Sequence, residues 1–444
     1  MIDLLTDVLD QAKRRGATAA DAFVVEDQAF SAQVRLGQVD TVKHAREQHV
    51  ALRVFVGHSV ASASTSDLSR ESLDRLVNEA VSLARITAPD NLAGLPEASE
   101  WAGVVPDLDL SDPKGHELLP EEKIELARRA EAAALATDPR ITNSEGGDFS
   151  DRHAQYTYAN SGGFSGSYET SSFSLAVSPV ASQNGDMQRD SWYHVTRKRE
   201  RLDSPEEIGR IAAQRAVRRL GARRVSTVEA PVIFDPDMAA SLVRHIAGAV
   251  SGPSLYRGAS FLVGKLGAKI AAPGITVVDD GTRPGALGSR PFDGEGLPVR
   301  RTVIVDKGVL SSYVLDTYSG RKLGLPSTHH AARDGSGVSV STTNLYLAAG
   351  ETKPADMIKG VKNGLYVTEL IGFGVNGVTG DYSRGAVGIW IENGELAFPV
   401  EELTVAGNLL EMWNAVEAVG DDLVFRDRTS SPTLLIGRMV IAGS

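Results

Sequence analysis

Glycine occupies 44 of the 444 positions, about a tenth of the chain against ~7 per cent in an ordinary protein, and this excess limits what the chain can become. Glycine weakens helices and supplies the positive φ that tight turns need, so much of the chain is expected to be strand joined by turns. The turn chemistry agrees. Ile389-Trp390-Ile391-Glu392, then Asn393-Gly394, then Glu395 to Phe398 reads as a hairpin, because Asn-Gly suits a two-residue turn with both φ positive. Val303-Ile304-Val305, Asp306-Lys307-Gly308 and Val309 to Val314 read as a second.

Helical spacing is confined to a few segments. Ile2, Leu4, Leu5, Val8, Leu9 and Ala12 recur on one face, and Gly16 follows as a stop. Three strand-like runs come next, Ala22 to Val25, Phe30 to Leu36 and Val50 to Val56, separated by Gly37 and a charged patch ending at Gln48. Ser69 to Ile86 and Glu121 to Thr137 read as helices around a proline-broken loop over 87–120. From Ile141 to Thr196 the composition shifts to Ser, Gly, Tyr and Thr, and Gln155 to Ala159 with Gly166 to Val177 suggest a hairpin or meander. Ser204-Pro205-Glu206-Glu207 starts another helix, with a capping Ser and Pro at the first helical position, and it runs to about Leu220. Patterning changes after Ala222 to Glu229. The expectation is therefore an α+β protein of two domains: residues 1–222, a mixed α/β-sandwich-like unit, and residues 226–444, mainly antiparallel β with a few helices.

Composition removes several functions. There is no cysteine, so disulfides, thiolate catalysis and cysteine-bound metals are excluded. The formal net charge of −11 disfavours a nucleic-acid binder. No apolar run reaches the ~18–20 residues of a membrane span, and the first ten residues are acidic, so a soluble, cytoplasmic protein is expected.

Each candidate motif has a plain alternative. Gly372-Phe373-Gly374-Val375-Asn376-Gly377 matches a dinucleotide fingerprint, but that motif needs a helix directly afterwards to hold a pyrophosphate. Val378 to Gly385 contains two more glycines, so a glycine-rich β connection is the better reading. Ten arginines and lysines between Arg197 and Arg224 are interleaved with Glu200, Asp203, Glu206 and Glu207 and read as a solvated or acid-facing surface. His329-His330, near Asp334, is poor chelating geometry on an extended chain and reads as a polar loop. The helix from Pro236 to Val250, capped by Asp235, places His245 among Met238, Leu242 and Ala249 on its apolar face, where it reads as structural.

At this helix the chain resembles the TldD/TldE (PmbA) metalloprotease family, once called modulator of DNA gyrase. The resemblance spans essentially the whole chain. It rests on Ser251-Gly252-Pro253-Ser254-Leu255-Tyr256-Arg257, Pro291-Phe292-Asp293-Gly294-Glu295-Gly296, Ser319-Gly320-Arg321-Lys322-Leu323-Gly324, Ile391-Glu392-Asn393-Gly394 and Ser431-Pro432-Thr433-Leu434-Leu435. The resemblance implies that the TldD branch binds zinc through a His-Glu-x-x-x-His helix and a C-terminal Cys. This chain departs at each position. With His245 as the first ligand, Ile246 stands for the acid and Val250 for the second His; one register over, Arg244 and Ala249 take the ligand places. The chain thus resembles the TldE/PmbA branch, which implies a non-catalytic subunit beside a TldD-like partner that holds the zinc and trims unfolded peptides. Ser254, Tyr256, Arg257, Tyr382 and Arg384 are expected to contact peptide or partner, and His245 marks a vestigial metal position. Two alternatives stay open. One is an autonomous metal-dependent hydrolase using His329 or His330 with Asp334, or Asp279-Asp280. The other is a homo-oligomeric peptide-binding protein. Neither nucleic acid nor membrane is expected as a partner, and self-association through strand edges is plausible.

Overall fold

The computed structural model describes residues 1–335 and 337–443. The first half is built on one long antiparallel sheet. After helix α1 (Ile2–Arg14) come β1 (Ala19–Arg35), β2 (Gln38–Val56) and β3 (Ser59–Thr65). Helices α2 (Arg70–Ile86) and α3 (Pro120–Thr137) precede β4 (Ile141–Asn160), β5 (Ser165–Gln183), β6 (Asp186–Arg189) and β7 (Trp192–Thr196), and α4 (Pro205–Val217) closes the half. The sheet order is β3-β2-β1-β4-β5-β6, with β7 also paired to β5.

Alternation along the strands assigns the two faces. Ala20, Ala22, Val24, Phe30, Ala32 and Val34 of β1 are buried beneath the helices, α1 and α2 at one end and α3 and α4 at the other. The intervening positions, Asp21 and Phe23, look the opposite way, as does Arg53 on β2. That second face carries Tyr156, Tyr158 and Tyr168 and meets the rest of the molecule.

The charged patch expected to separate two strands is itself strand: β2 runs unbroken from Gln38, and its first eleven residues are mostly exposed. Water lies on both sides there, so no apolar alternation marks it, and the backbone ladder to β1 holds it extended.

The second half begins with β8 (Val228–Phe234), α5 (Pro236–Ala249) and the one-turn helix α6 (Gly252–Tyr256). There follow β9 (Val277–Asp280), β10 (Arg301–Asp306), β11 (Val309–Leu310), α7 (Thr317–Leu323), β12 (Ala331–Asp334), β13 (Gly337–Val340), β14 (Leu345–Leu347) and α8 (Pro354–Gly360). The chain ends with β15 (Asn363–Ile371), β16 (Asp381–Glu392), β17 (Glu395–Asn408), α9 (Leu409–Asn414), β18 (Val416–Val419), β19 (Thr429–Ser430) and β20 (Leu434–Ala442). Strands β17-β16-β15-β8-β20 form a sheet whose last strand returns to β17, closing a barrel. A second sheet runs β11-β10-β9-β14-β19. Helix α5 packs its apolar stripe, Ala239, Leu242, Val243 and Ile246, into the core shared by both sheets. No described helix is long and apolar enough to cross a membrane.

The two halves are joined by charge as well as by apolar contact. Asp21 is fully buried and receives Arg53 at 2.5 Å and Arg333 at 2.6 Å, while Arg53 also reaches Glu295 at 3.1 Å. Beside them Phe292 packs edge-on against Phe164 and Tyr168.

Candidate functional site

Helix α5 starts where its sequence requires. The Asp235 carboxylate accepts the Met238 N–H at 3.0 Å and Pro236 occupies the first turn. Its inner face is aliphatic: Ile246 and Val250 are 1 and 0 per cent exposed. Arg244 and the half-buried His245 lie at the outer edge, on the wall of a cavity of about 580 Å³.

The opposite wall is the connection between β15 and β16. Gly372-Phe373-Gly374-Val375-Asn376-Gly377 forms this connection, and no helix follows it. Gly372 and Gly380 have φ of +80° and +84°, and a Cβ on Gly374 would run into the Ser383 carbonyl oxygen. The glycines therefore serve a tight hairpin and leave Phe373 wholly exposed at the cavity mouth. Ser254, Phe261 and Arg384 complete the lining that matters here.

His245 and Arg384 line the cavity, and Tyr382, 1 per cent exposed, is packed behind them. The rings of His245 and Tyr382 meet edge to face at 6.1 Å. Buried His245 Nε2, Tyr382 Oη and Arg384 Nε have no hydrogen-bond partner among the described residues, although Arg384 Nη2 donates to the Leu370 carbonyl at 3.1 Å. Burial, then repulsion from Arg384 and Arg244, pushes His245 down to about 4. Burial pushes Tyr382 up to about 12, against the pull of Arg384. At neutral pH the wall therefore offers a neutral imidazole and a guanidinium, with a protonated phenol buried behind them. This set suits a carbonyl or carboxylate oxygen.

It does not suit zinc. One imidazole flanked by two guanidinium groups supplies a single ligand and repels a dication, whereas zinc sites use three or four converging donors. Among the described residues no three His, Asp or Glu side chains converge to hold a metal ion.

Of the residues singled out in the sequence, His245, Ser254 and Arg384 line this cavity, and Tyr382 is packed behind it against His245. Tyr256 and Arg257 do not. The Arg257 guanidinium lies 5.5 Å over the Tyr256 ring, which meets Tyr318 edge-on at 6.1 Å, outside the cavity. Phe373, Phe261 and Arg244 were not expected. An aromatic bracketed by glycines was the available signal for Phe373, since nothing beside it can cover the ring.

His329 and His330 take separate partners. His329, at φ +61°, turns Nδ1 to the Pro298 carbonyl at 2.7 Å. His330 is 2 per cent exposed and pairs through Nε2 with Asp279 Oδ2 at 3.0 Å. Asp279 also accepts the Thr343 N–H and hydroxyl, at 2.8 and 2.6 Å. Asp280 accepts the Thr282 N–H and hydroxyl instead. The Asp334 side chain lies outside the described residues. Half of the basic residues in the arginine-rich segment form ion pairs, mostly with acids outside it: Lys198 with Asp109, Arg215 with Asp190, Arg219 with Glu369, Arg224 with Glu402, and Arg210 with Glu207 within it.

The depressed His245 has a measurable consequence. Its ordinary pKa of 6.5 falls to about 4 in the folded chain, so the unfolded chain binds the extra proton between those values. The stability owed to a neutral His245 is complete above pH 6.5 and is lost as pH falls toward 4. Screening by water at the mouth leaves about 1–2 kcal/mol of the effect. Urea midpoints of H245Q, which cannot take the proton, should fall less steeply than those of the unsubstituted chain across this window. Parallel curves would remove His245 as the titrating group.

Three family descriptions cover most of the chain: PmbA/TldA metallopeptidase domain 1 over residues 20–84, the central domain over 113–220 and the C-terminal domain over 227–443. The chain is 40% identical over 424 residues to the metalloprotease PmbA of Escherichia coli O157:H7, covering 96% of this chain and 92% of that one. A Bacteroides thetaiotaomicron protein solved as a candidate modulator of DNA gyrase superposes with a TM-score of 0.92 at 30% identity, over 100% and 99% of the two chains. TldE from Thermococcus kodakarensis superposes with a TM-score of 0.89 at 22% identity, over 99% and 100%, and shares the fold.

Proposed function

Since the chain belongs to the PmbA/TldD metallopeptidase family, we propose that it is the non-catalytic, TldE/PmbA-type subunit of a two-subunit zinc protease acting on unfolded peptides. The observation that carries this reading is the donor set on α5. Where the catalytic branch is expected to carry a general base and a second imidazole, Ile246 and Val250 are packed into the core. His245 is left beside Arg244 and Arg384, an environment hostile to a dication. The cavity keeps its hydrogen-bonding capacity, which supports a retained role in holding peptide backbone or carboxylate groups through Arg384, His245 and Ser254. The wholly exposed Phe373 at its mouth offers a first apolar contact. Zinc belongs, on this reading, to a TldD-like partner.

The test is elemental mass spectrometry on the chain purified from a host lacking its own TldD and TldE, followed by mixing with a TldD-like subunit. Fewer than about 0.1 zinc per chain is expected, with no peptidase activity alone and a gain of at least about 100-fold on mixing, as metal-centred hydrolysis would supply. About one zinc per chain, or chelator-sensitive activity without a partner, would overturn the proposal.

A further inference from the structure

A second cavity, about 340 Å³, lies between the halves, on the aromatic face of the long sheet. Its size is at the low end for a small-molecule pocket, ~300–1,000 Å³. Tyr156 and Tyr168, stacked with centroids 5.1 Å apart, and Phe292, edge-on to Tyr168 at 5.3 Å, make its apolar wall.

The rest of the lining is unusually basic for so acidic a chain. Arg197, Arg290 and Arg428 all face this space, and among the described residues none of the three forms an ion pair within 4 Å. Arg197 is 7 per cent exposed and is fixed by backbone alone, donating to the carbonyls of Ser171 at 2.9 Å and of Leu287 at 2.5 Å. Burial, then repulsion from Arg428, depresses Arg197 to about 10. Arg290 holds two buried donors, Nε and Nη2, with no hydrogen-bond partner among the described residues. Two carboxylates also line the cavity, and the Arg290 charge acts on one of them: burial and Glu295 push Asp293 up to about 7 against the pull of Arg290. Asp293 accepts the N–H groups of Glu295, Leu297 and Ala331, and exposed Asp427 accepts the Arg428 N–H. Arg152 and Arg333 are neutralised by Asp27 and Asp21. Three guanidinium groups against two carboxylates leave a net positive field over an aromatic platform, with the planar Nε and Nη2 donors of Arg290 unpartnered among the described residues.

An orphaned buried guanidinium is costly, and a planar, two-oxygen anion satisfies Nε and Nη2 together. We propose that this pocket binds the free C-terminal carboxylate of a peptide, with Arg290 as the bidentate donor, Arg197 and Arg428 supplying the field, and the Tyr156–Tyr168–Phe292 wall taking the last side chain. The choice of a chain end rests on the peptide-handling role proposed above and on the pocket's modest volume. An internal acidic residue would need room for chain on both sides.

The experiment is calorimetric titration of the full chain with the tripeptide Ala-Ala-Phe as free acid and as C-terminal amide, with inorganic phosphate in a separate arm. The acid is expected to bind at least tenfold more tightly than the amide. R290Q should remove that difference. Arg428 is exposed, so R428A leaves the fold intact even if R290Q does not, and it should weaken the acid about threefold. Equal binding of acid and amide, binding of neither, or phosphate binding tighter than the acid would each overturn the assignment. No catalytic subunit is present in these titrations. Acid-selective binding by a chain that activates no partner would therefore uphold the pocket and sink the subunit role, and the converse pair of results would do the reverse.

Discussion

Replacing Asp21 with alanine is expected to destabilise the chain by about 3–5 kcal/mol, the cost of leaving buried charges without their counter-ion. Asp21 stands in β1 on the face turned away from the helices and is fully buried. It holds Arg53 of its own sheet and Arg333 of the other half, and the Tyr158 hydroxyl donates to it at 3.3 Å. Burial alone would raise its pKa, but Arg333 and Arg53 overcome this and keep the carboxylate below its usual range. Its contribution is thus present above the unfolded value of 3.8 and is lost only as pH falls through the lower folded value. The destabilisation should accordingly be undiminished from pH 5 to 8. Denaturant unfolding of D21A, read by both tryptophan fluorescence and limited proteolysis between the halves, measures it. A loss under about 1 kcal/mol would mean that the Asp21 ion pairs contribute little to joining the halves.

Removing the Asp279 carboxylate should cost a similar amount, about 3–5 kcal/mol, because it strands three donors in the interior. Asp279 is fully buried, and His330 Nε2, the Thr343 N–H and the Thr343 hydroxyl all converge on it. A His–Asp pair invites a catalytic interpretation. Two features oppose it: His330 Nδ1 is already engaged with the Thr328 hydroxyl at 2.9 Å, and neither residue borders a cavity described above. The structural role predicts that D279A and H330Q lower the denaturation midpoint while the activity of a reconstituted complex, per folded chain, stays within twofold. A hundredfold loss of turnover in stably folded H330Q would establish the pair as chemistry and revive an autonomous hydrolase.

Local chemistry made several elements legible. The side chains of Ser69, Ser204 and Asp235 cap their helices by accepting from Ser72, Glu207 and Met238 N–H groups. Asn393 and Gly394 take φ of +52° and +82° in the expected two-residue turn. The glycine-rich fingerprint could be rejected as a nucleotide motif because its context was wrong within eight residues. Where the reading fell short, the signal was not local. The exposed start of β2 has no alternation to detect, and α6 to α9 are one or two turns long, too short for a 3.6-residue period to repeat.

The family markers illustrate the division. In the sequence they are glycine-rich segments whose order identifies a family; in the fold they are joints. Phe292 and Glu295 come from one marker and bind the two halves, through Phe164 and through Arg53. Arg321, from another, donates to the carbonyls of Leu92, Gly94 and Leu95 and pins the proline-broken loop. Gly252 has no room for a Cβ against Ser319, which explains a small residue where α6 meets α7.

By itself the sequence determined the α+β class, the starts of the longer helices, the hairpin turns and the family. Each of these depends on residues within a turn or two of one another, or on the order of short motifs. Only the tertiary structure decided that His245 and Arg384 line one cavity with Tyr382 packed behind them, that His330 finds Asp279 51 residues away, and that Arg197, Arg290 and Arg428 line one pocket. Those groupings arise where separate elements pack. The faces that meet are set by burying apolar surface across the whole chain, and no local pattern encodes which distant polar groups that packing brings together.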